Sequence, residues 1–279
     1  SIVISHNCAT RAKGRKLGNG PSMTSFAGNL TEQVYLTIRD RILRGELTFG
    51  TALSRRSLAE ELGVSIVPVG DALQRLEGDG LVESRPRVGT RVRIPTARAI
   101  RGHYILREAL ETQAARLFSE KASPEEREEL RRMAHQLDGL YALSTPDDEN
   151  GRERLYEIHR FHMRFHMRIA EGTGCDELCQ AVEKNQVLIF NWLYDTALGN
   201  QAPPADWHSQ LANALLTGEP EVADAAMRSH TRYRMEEVLA QMEPYFGWTE
   251  ARLQSFTKRT RKKAIAGAPS PDPTSEGTE

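Results

Sequence analysis

The histidines are the residues of this 279-residue chain whose type and spacing could do chemistry, because six of the eight follow residue 134. His162 and His166 are four residues apart, so on a helix both rings project from the same face. His208 and His230 follow in later segments that carry apolar residues at helical spacing. Neutral imidazoles that converge from three helices are ligands for a borderline divalent metal such as Zn²⁺ or Ni²⁺. The helix pair by itself is more typical of core or surface histidines, so that interpretation stays open.

The composition is that of a soluble globular protein, with 39% hydrophobic and 27% charged residues and a mean hydropathy of −0.52. No stretch approaches the ~18–20 consecutive apolar residues that a membrane span requires. Three cysteines are too few for a disulfide scaffold, which favours a reducing compartment. The first residues lack the basic start and apolar core of an export signal. We therefore expect a cytoplasmic protein.

The net charge of −1 hides an uneven distribution along the chain. Residues 1–29 carry +4 and residues 30–96 carry +1, whereas residues 97–257 carry −8 and residues 258–279 carry +2. A basic N-terminal third on an acidic body favours a polyanionic partner at that end, although ordinary charge scatter is the alternative.

The sequence predicts a mainly α protein with two folded parts. Residues 1–29 are predicted to be a disordered basic arm, and residues 258–279 a basic and then disordered tail. Between residues 30 and 96, three short helices starting at Thr31 precede two strand-like runs, which is the pattern of a winged helix-turn-helix with a small β-wing. Residues 97–257 predict an all-α antiparallel bundle of about six helices. Their predicted runs are 98–119, 124–143, 151–171, 176–198, 205–217 and 220–243.

One multi-part motif carries a family resemblance over residues 31–94. It consists of Leu58-Ala59-Glu60-Glu61-Leu62-Gly63-Val64-Ser65, Pro68-Val69, Ala72-Leu73-Gln74-Arg75-Leu76-Glu77, Gly80-Leu81-Val82 and Gly89-Thr90. This motif resembles the GntR family of bacterial transcription regulators. The resemblance implies that the helix after Ser65 lies in the DNA major groove, with its first residues at the base edges.

The chain departs from that family at two positions that usually hold base-reading arginines, where it has Ile66 and Gly70. Their absence implies a different operator or weaker specificity, with Ile66 and Val67 available to contact thymine methyl groups. The residues that we expect at the DNA are Arg55, Arg56, Ser65, Ile66, Val67, Arg85, Arg87, Gly89 and Arg91. Each single arginine is also compatible with a solvated surface position.

Residues 97–245 are similar to the FCD ligand-binding domain of the FadR-like branch of GntR regulators. The matching pieces are Leu106-Arg107-Glu108-Ala109-Leu110-Glu111, the segment from Phe165 to Gly174, Trp207-His208 and Met227-Arg228-Ser229-His230. The resemblance implies a metal held by an Asp and three histidines. His166, His208 and His230 stand at the histidine positions, and His162 stands where the family has Asp.

The exchange of Asp for His162 changes the charge of the implied site. An Asp with three histidines leaves a divalent metal site at +1, whereas four neutral imidazoles leave it at +2, which favours an anion as the additional ligand. Arg107 resembles the family position that faces the pocket and could bind a carboxylate through two hydrogen bonds. A helix-surface ion pair between Arg107 and Glu111 is the alternative.

These patterns together predict a homodimeric, cytoplasmic DNA-binding regulator. Its affinity for operator DNA would be controlled by a small organic carboxylate bound at a His-ligated divalent metal, with zinc or nickel expected. A sensor of the metal alone is an alternative hypothesis. A metalloenzyme fused to a DNA-binding unit is less favoured, because no general base accompanies the histidines. We therefore expect a protein that is not an enzyme.

Overall fold

The computed structural model describes residues 23–86, 88–143, 151–196, 203–233 and 235–246. The predicted tail and most of the predicted arm lie outside these ranges. Helix α1 begins at Met23, eight residues before the predicted start at Thr31, and so extends into the segment assigned to the arm. Gly28 and Asn29 are weak helix formers that interrupt the sequence pattern, but the backbone remains helical through them.

The N-terminal unit, here called the reading head, contains three helices and a three-stranded antiparallel sheet. Its elements are α1 (Met23–Leu43), β1 (Ala52–Leu53), α2 (Arg55–Leu62), α3 (Ile66–Gly78), β2 (Val82–Arg85) and β3 (Gly89–Val92). Strand β3 lies in the centre of the sheet, between β1 and β2. The predicted winged helix-turn-helix is confirmed. Strand β1 was not predicted, because two residues are too few to show an alternating pattern.

Local sequence signals set the turn between α2 and α3. The Ser54 hydroxyl caps α2 by accepting a hydrogen bond of 3.3 Å from the backbone N–H of Ser57. Gly63 ends α2 with a φ of 66°, a left-handed conformation that glycine adopts without steric cost. Helix α3 then starts after Ser65 and buries Val69, Leu73 and other apolar side chains against the head.

The C-terminal unit is helical throughout its described part. Its elements are α4 (Ala97–Lys121), α5 (Pro124–Ala142), α6 (Gly151–Glu171), α7 (Asp176–Thr196), α8 (Trp207–Leu216), α9 (Pro220–Arg232), α10 (Met235–Met242) and a 3₁₀ turn (Glu243–Tyr245). The helical bundle is confirmed, with seven α-helices in the described residues instead of about six. The predicted run 220–243 divides into α9 and α10 near Tyr233, where no glycine or proline marks the break.

The reading head packs directly against the helical unit and is not joined to it by the linker alone. Ile38 and Leu76 of the head belong to the same buried cluster as Tyr156 of α6, Leu188 of α7 and Leu239 of α10. Burying a large apolar side chain contributes about 1.5–3 kcal/mol. A separate cluster, which includes Phe118 and Phe165, fills the helical unit around the predicted ligand histidines.

Polar contacts reinforce this docking between α1 and α6. The Arg44 guanidinium lies 2.6 Å from a carboxylate oxygen of Glu153 and 4.1 Å from the ring centroid of Tyr156. The Tyr156 hydroxyl donates a hydrogen bond to Asp40. None of the helices in the described ranges combines the length and apolar character needed to cross a bilayer.

Gly172, directly after α6, is predicted to be intolerant of a side chain. A Cβ at this position would lie 2.5 Å from Cδ2 of the fully buried Phe118, so Gly172→Ala should destabilise the fold by about 1–3 kcal/mol. The matched control is Gly139→Ala on the exposed side of α5, where a Cβ meets no atom within 4 Å. We expect this control to be neutral or slightly stabilising. Denaturant unfolding measures both, and equal midpoints for the two variants would contradict the packing described here.

Candidate metal centre and nucleic-acid interface

Three of the four predicted ligand histidines meet at one point between α6 and α9. The Nε2 atom of His166 lies 2.9 Å from Nε2 of His162 and 3.2 Å from Nε2 of His230. The Nε2 atoms of His162 and His230 are 3.4 Å apart. Nitrogens that bind one tetrahedral Zn²⁺ at about 2.0–2.1 Å lie about 3.3–3.4 Å apart. The three atoms are therefore spaced closely enough to share one metal ion. Within the described ranges, this is the only group of three or more His, Cys, Asp or Glu residues that could hold one.

The environment of these rings keeps them neutral. His166 and His230 are buried, and His162 is half-buried. Burial, together with the neighbouring imidazoles and Arg107, lowers the pKa values of His162 and His230 well below their ordinary value. Burial also lowers the pKa of His166, although the Glu111 carboxylate opposes this shift. Neutral imidazole is the form that binds a metal.

His208, the fourth predicted ligand, lies beside the group but is not one of the three converging residues. Its ring centroid is 4.8 Å from that of His162, and its ring stacks on Tyr141 at 5.4 Å with an interplanar angle of 7°. The Nδ1 atom of His208 lies 2.7 Å from Asp138 Oδ1, which also accepts the backbone N–H of His208. With Nδ1 held in this way, Nε2 is the ring nitrogen left for a ligand.

Asp138 holds His208 by capping α8 from a neighbouring helix. Its second carboxylate oxygen accepts hydrogen bonds from the backbone N–H and the hydroxyl of Ser209, at 2.9 and 2.6 Å. Burial alone would raise the pKa of Asp138, but the hydrogen bonds from His208 and Ser209 lower it to about 2. The fixed carboxylate therefore sets the position of the His208 ring.

Arg107 is buried and pairs with Glu111, so it is not the surface residue that the alternative interpretation required. Its Nε donates to Glu111 Oε1 at 3.0 Å, and its Nη2 lies 3.4 Å from Nε2 of His166. Glu111 Oε2 lies 2.7 Å from Nδ1 of His166, in a close polar contact rather than an aligned hydrogen bond. Burial alone would raise the pKa of Glu111, but Arg107 and His166 hold it at about 2. The pair adds no net charge next to the imidazoles.

Several residues of this site were missed by the sequence analysis. Asp138 and Tyr141 lie on α5, roughly 70 residues before His208, and no local pattern connects them to that histidine. Trp207 stacks on His230 with ring centroids 5.5 Å apart, and Gln186 donates to Glu111 at 3.3 Å. Glu111 was recognised as a possible partner of Arg107, but its contact with His166 was not predicted.

The N-terminus of α3 presents apolar side chains to solvent, as the sequence suggested for a base-reading surface. Ile66 is 54% exposed and Val67 is 70% exposed. Ser65 is exposed at the N-cap position, and its side chain makes no capping hydrogen bond. Gly89 is exposed at the start of β3, where it pairs with Arg85 beside the tip of the wing and has a φ of 98°.

The predicted DNA-contacting arginines differ in their surroundings. Arg55 is exposed, and the exposed Arg56 and Arg85 form ion pairs with Glu60 and Glu83 at 3.1 and 3.3 Å. Arg91 is on the wing but is less accessible than expected, because it is only 7% exposed and its Nε donates to Glu83 at 2.7 Å. It lies on the central strand β3, flanked by β1, which the sequence analysis did not predict. Arg87 lies outside the described residues.

Comparisons with known proteins agree with this architecture. Residues 30–92 match the gntR family of bacterial regulatory proteins, and residues 103–233 match the FCD domain. A probable D-xylose utilization operon transcriptional repressor of Paenarthrobacter nicotinovorans is 27% identical over 68% of this chain and 80% of its own length. An uncharacterized HTH-type transcriptional regulator of Mycobacterium bovis is 30% identical over 71% of this chain and 87% of its own length.

A solved structure supports the fold assignment. The Escherichia coli protein McbR/YncC superposes with a TM-score of 0.62 and 22% identity, over 76% of this chain and 98% of that one. The matched families and these relatives are transcription regulators rather than enzymes, in agreement with the sequence-based expectation. The chain therefore belongs to the GntR family of bacterial transcription regulators and carries an FCD domain after its winged helix-turn-helix.

Proposed function

We propose that this regulator is a cytoplasmic homodimer whose operator affinity is controlled by a small organic carboxylate. The carboxylate would bind beside a divalent metal, Zn²⁺ or Ni²⁺, held by histidines of the helical unit. The observation that carries this proposal is the convergence of three Nε2 atoms, 2.9–3.4 Å apart, on neighbouring helices.

The donor set fits a metal of this class. His162, His166 and His230 would hold it, and His208 is the proposed fourth ligand because its Nδ1 is already held by Asp138. The Glu111 carboxylate lies 2.7 Å from Nδ1 of His166, which likewise leaves Nε2 as the ring nitrogen that faces the metal position. A bound metal would supply a positive centre to which an oxygen anion can bind. Three nitrogen ligands leave the fourth position of a tetrahedral Zn²⁺ open for such an anion, and with four the anion would be a fifth ligand.

The charges of the site favour an anionic effector. Arg107 and Glu111 compensate one another, and the imidazoles are neutral, so a divalent metal beside the ionised Asp138 carboxylate would leave an excess of one positive charge in a buried space. Arg107 Nη2 also lies 3.4 Å from Nε2 of His166, so a guanidinium borders the place where the anion would bind. A carboxylate can accept hydrogen bonds from the guanidinium and contact the metal at the same time.

Helix α6 offers a route from this site to the reading head. It carries His162 and His166 together with Tyr156 and Glu153, and the last two contact α1. Tyr156 precedes His162 by six residues, which corresponds to about 9 Å along a helix. A shift of α6 on effector binding would therefore change the placement of the head, and in a homodimer the spacing of two heads on a pseudo-palindromic operator.

Zinc binding by the full chain is predicted to depend on His166. His166→Ala should weaken Zn²⁺ binding by more than about 100-fold, because loss of a ligand should cost more than the 10–100-fold expected from loss of an outer partner. Competition with a chromophoric chelator at neutral pH measures the affinity. His103→Ala, which changes a half-buried histidine of α4 whose ring bonds Asn185, is the matched control. Equal zinc affinity in the His166→Ala and His103→Ala proteins would contradict the proposed ligand set.

Operator binding is predicted to respond to metal and carboxylate together. The affinity of the full chain for its operator is measured with Zn²⁺ alone, with a panel of small carboxylates alone, and with both. Arg107→Lys should weaken the carboxylate response by roughly 10- to 100-fold while keeping zinc binding, because lysine keeps the charge but loses the two-pronged donor geometry. Arg101→Lys, an exposed position on the same helix, is the control. A full response to Zn²⁺ alone would overturn this proposal in favour of the metal-sensor hypothesis.

A further inference from the structure

Gly70 leaves a gap in the exposed face of α3. This face carries Ile66, Val67, Gly70, Asp71 and Gln74, four of which are exposed, while Gly70 is half-buried. Gly70 lies one helical turn after Ile66, within the N-terminal half of the helix that a winged helix-turn-helix places in the major groove. A glycine here offers no side chain to a base edge.

A guanidinium from another helix covers this gap. A Cβ at Gly70 would have one neighbour within 4 Å apart from the adjacent residues and the local helix backbone. That neighbour is Nη1 of Arg55, at 3.8 Å. Arg55 is the first residue of α2 and follows the Ser54 N-cap, so its side chain leaves the end of one helix and crosses to the next. The guanidinium thus occupies the space into which a side chain at residue 70 would extend.

Arg55 also differs from its neighbours in its partners. Arg56 is paired with Glu60, Arg85 with Glu83, and Arg75 with Glu32. Within the described residues, Arg55 is exposed and has no hydrogen-bonding or ion-pair partner. An arginine with all of its donors available beside a recognition helix suits a ligand that supplies paired acceptors.

We propose that Arg55, seated over Gly70, reads a guanine in the operator. Its two-pronged guanidinium would donate to O6 and N7 of that base, and the absence of a side chain at Gly70 would admit it to the major groove. This inference rests on the proposed binding of a specific operator. The competing role for Arg55 is a contact to a backbone phosphate, which adds affinity without base preference.

The test uses the full chain and a pool of double-stranded DNA with randomised sequence. Wild type, Arg55→Ala and Arg55→Lys are each used to select bound duplexes, and base preference is compared position by position. Wild type should prefer guanine at one position of each half-site by about 5- to 150-fold. Both variants should lose this preference and keep those at other positions, because lysine restores the charge but not the paired donors.

Chemical modification of that guanine gives an independent readout. Replacing it with 7-deazaguanine removes the N7 acceptor and leaves base pairing intact, so the affinity of wild type should fall while that of Arg55→Ala is unchanged.

Gly70→Leu should abolish the same guanine preference by displacing Arg55, and should have no further effect on it in an Arg55→Ala background. Gly70→Ala is the matched control, because its Cβ would make only ordinary contact with the guanidinium.

The outcomes separate this inference from the proposal on which it rests. If wild type enriches no sequence at all, specific operator binding fails, and the role of Arg55 fails with it. If wild type selects an operator but Arg55→Ala selects the same bases with uniformly weaker and less salt-dependent binding, Arg55 contacts phosphate and this inference alone is overturned.

Discussion

The site depends on the packing of three imidazole rings around one point inside a helical domain. A neutral imidazole has one nitrogen that donates and one that accepts, so three Nε2 atoms that face one another at 2.9–3.4 Å cannot all be satisfied by each other. A metal ion that accepts their lone pairs resolves this conflict. The surrounding residues resist any rotation of the rings away from the point, since Trp207 stacks on His230 and Glu111 contacts His166.

The same helix joins this point to the DNA-binding end of the molecule. The middle of α6 carries His162 and His166, and its first turns contact α1 through Glu153 and Tyr156. The reading head shares a buried apolar cluster with α6, α7 and α10. Because buried side chains are closely packed, movement of these helices would shift the position of the head. The structure thereby gives a physical path by which the charge at one site could bias the geometry at another.

The sequence predicts features that depend on nearby residues and not those that depend on distant ones. The predicted helical run that starts at residue 124 was correct, because the Ser123–Glu126 capping box places its signals within four residues. The burial of Arg91 could not be predicted, because it depends on Glu83 of β2 and on β1, about 40 residues earlier. The ligand histidines could be selected by helical spacing and family resemblance, but neither indicates that Asp138 would hold His208.

The most direct test of this account is X-ray absorption spectroscopy at the zinc edge of the full chain loaded with one equivalent of Zn²⁺. The account predicts a first shell of three or four imidazole nitrogens at about 2.0–2.1 Å, with the outer-shell scattering that is typical of histidine rings. The light-atom shell should change when a carboxylate effector is added. A shell of water or carboxylate oxygens with at most one imidazole, or one containing sulfur, would contradict the proposed centre.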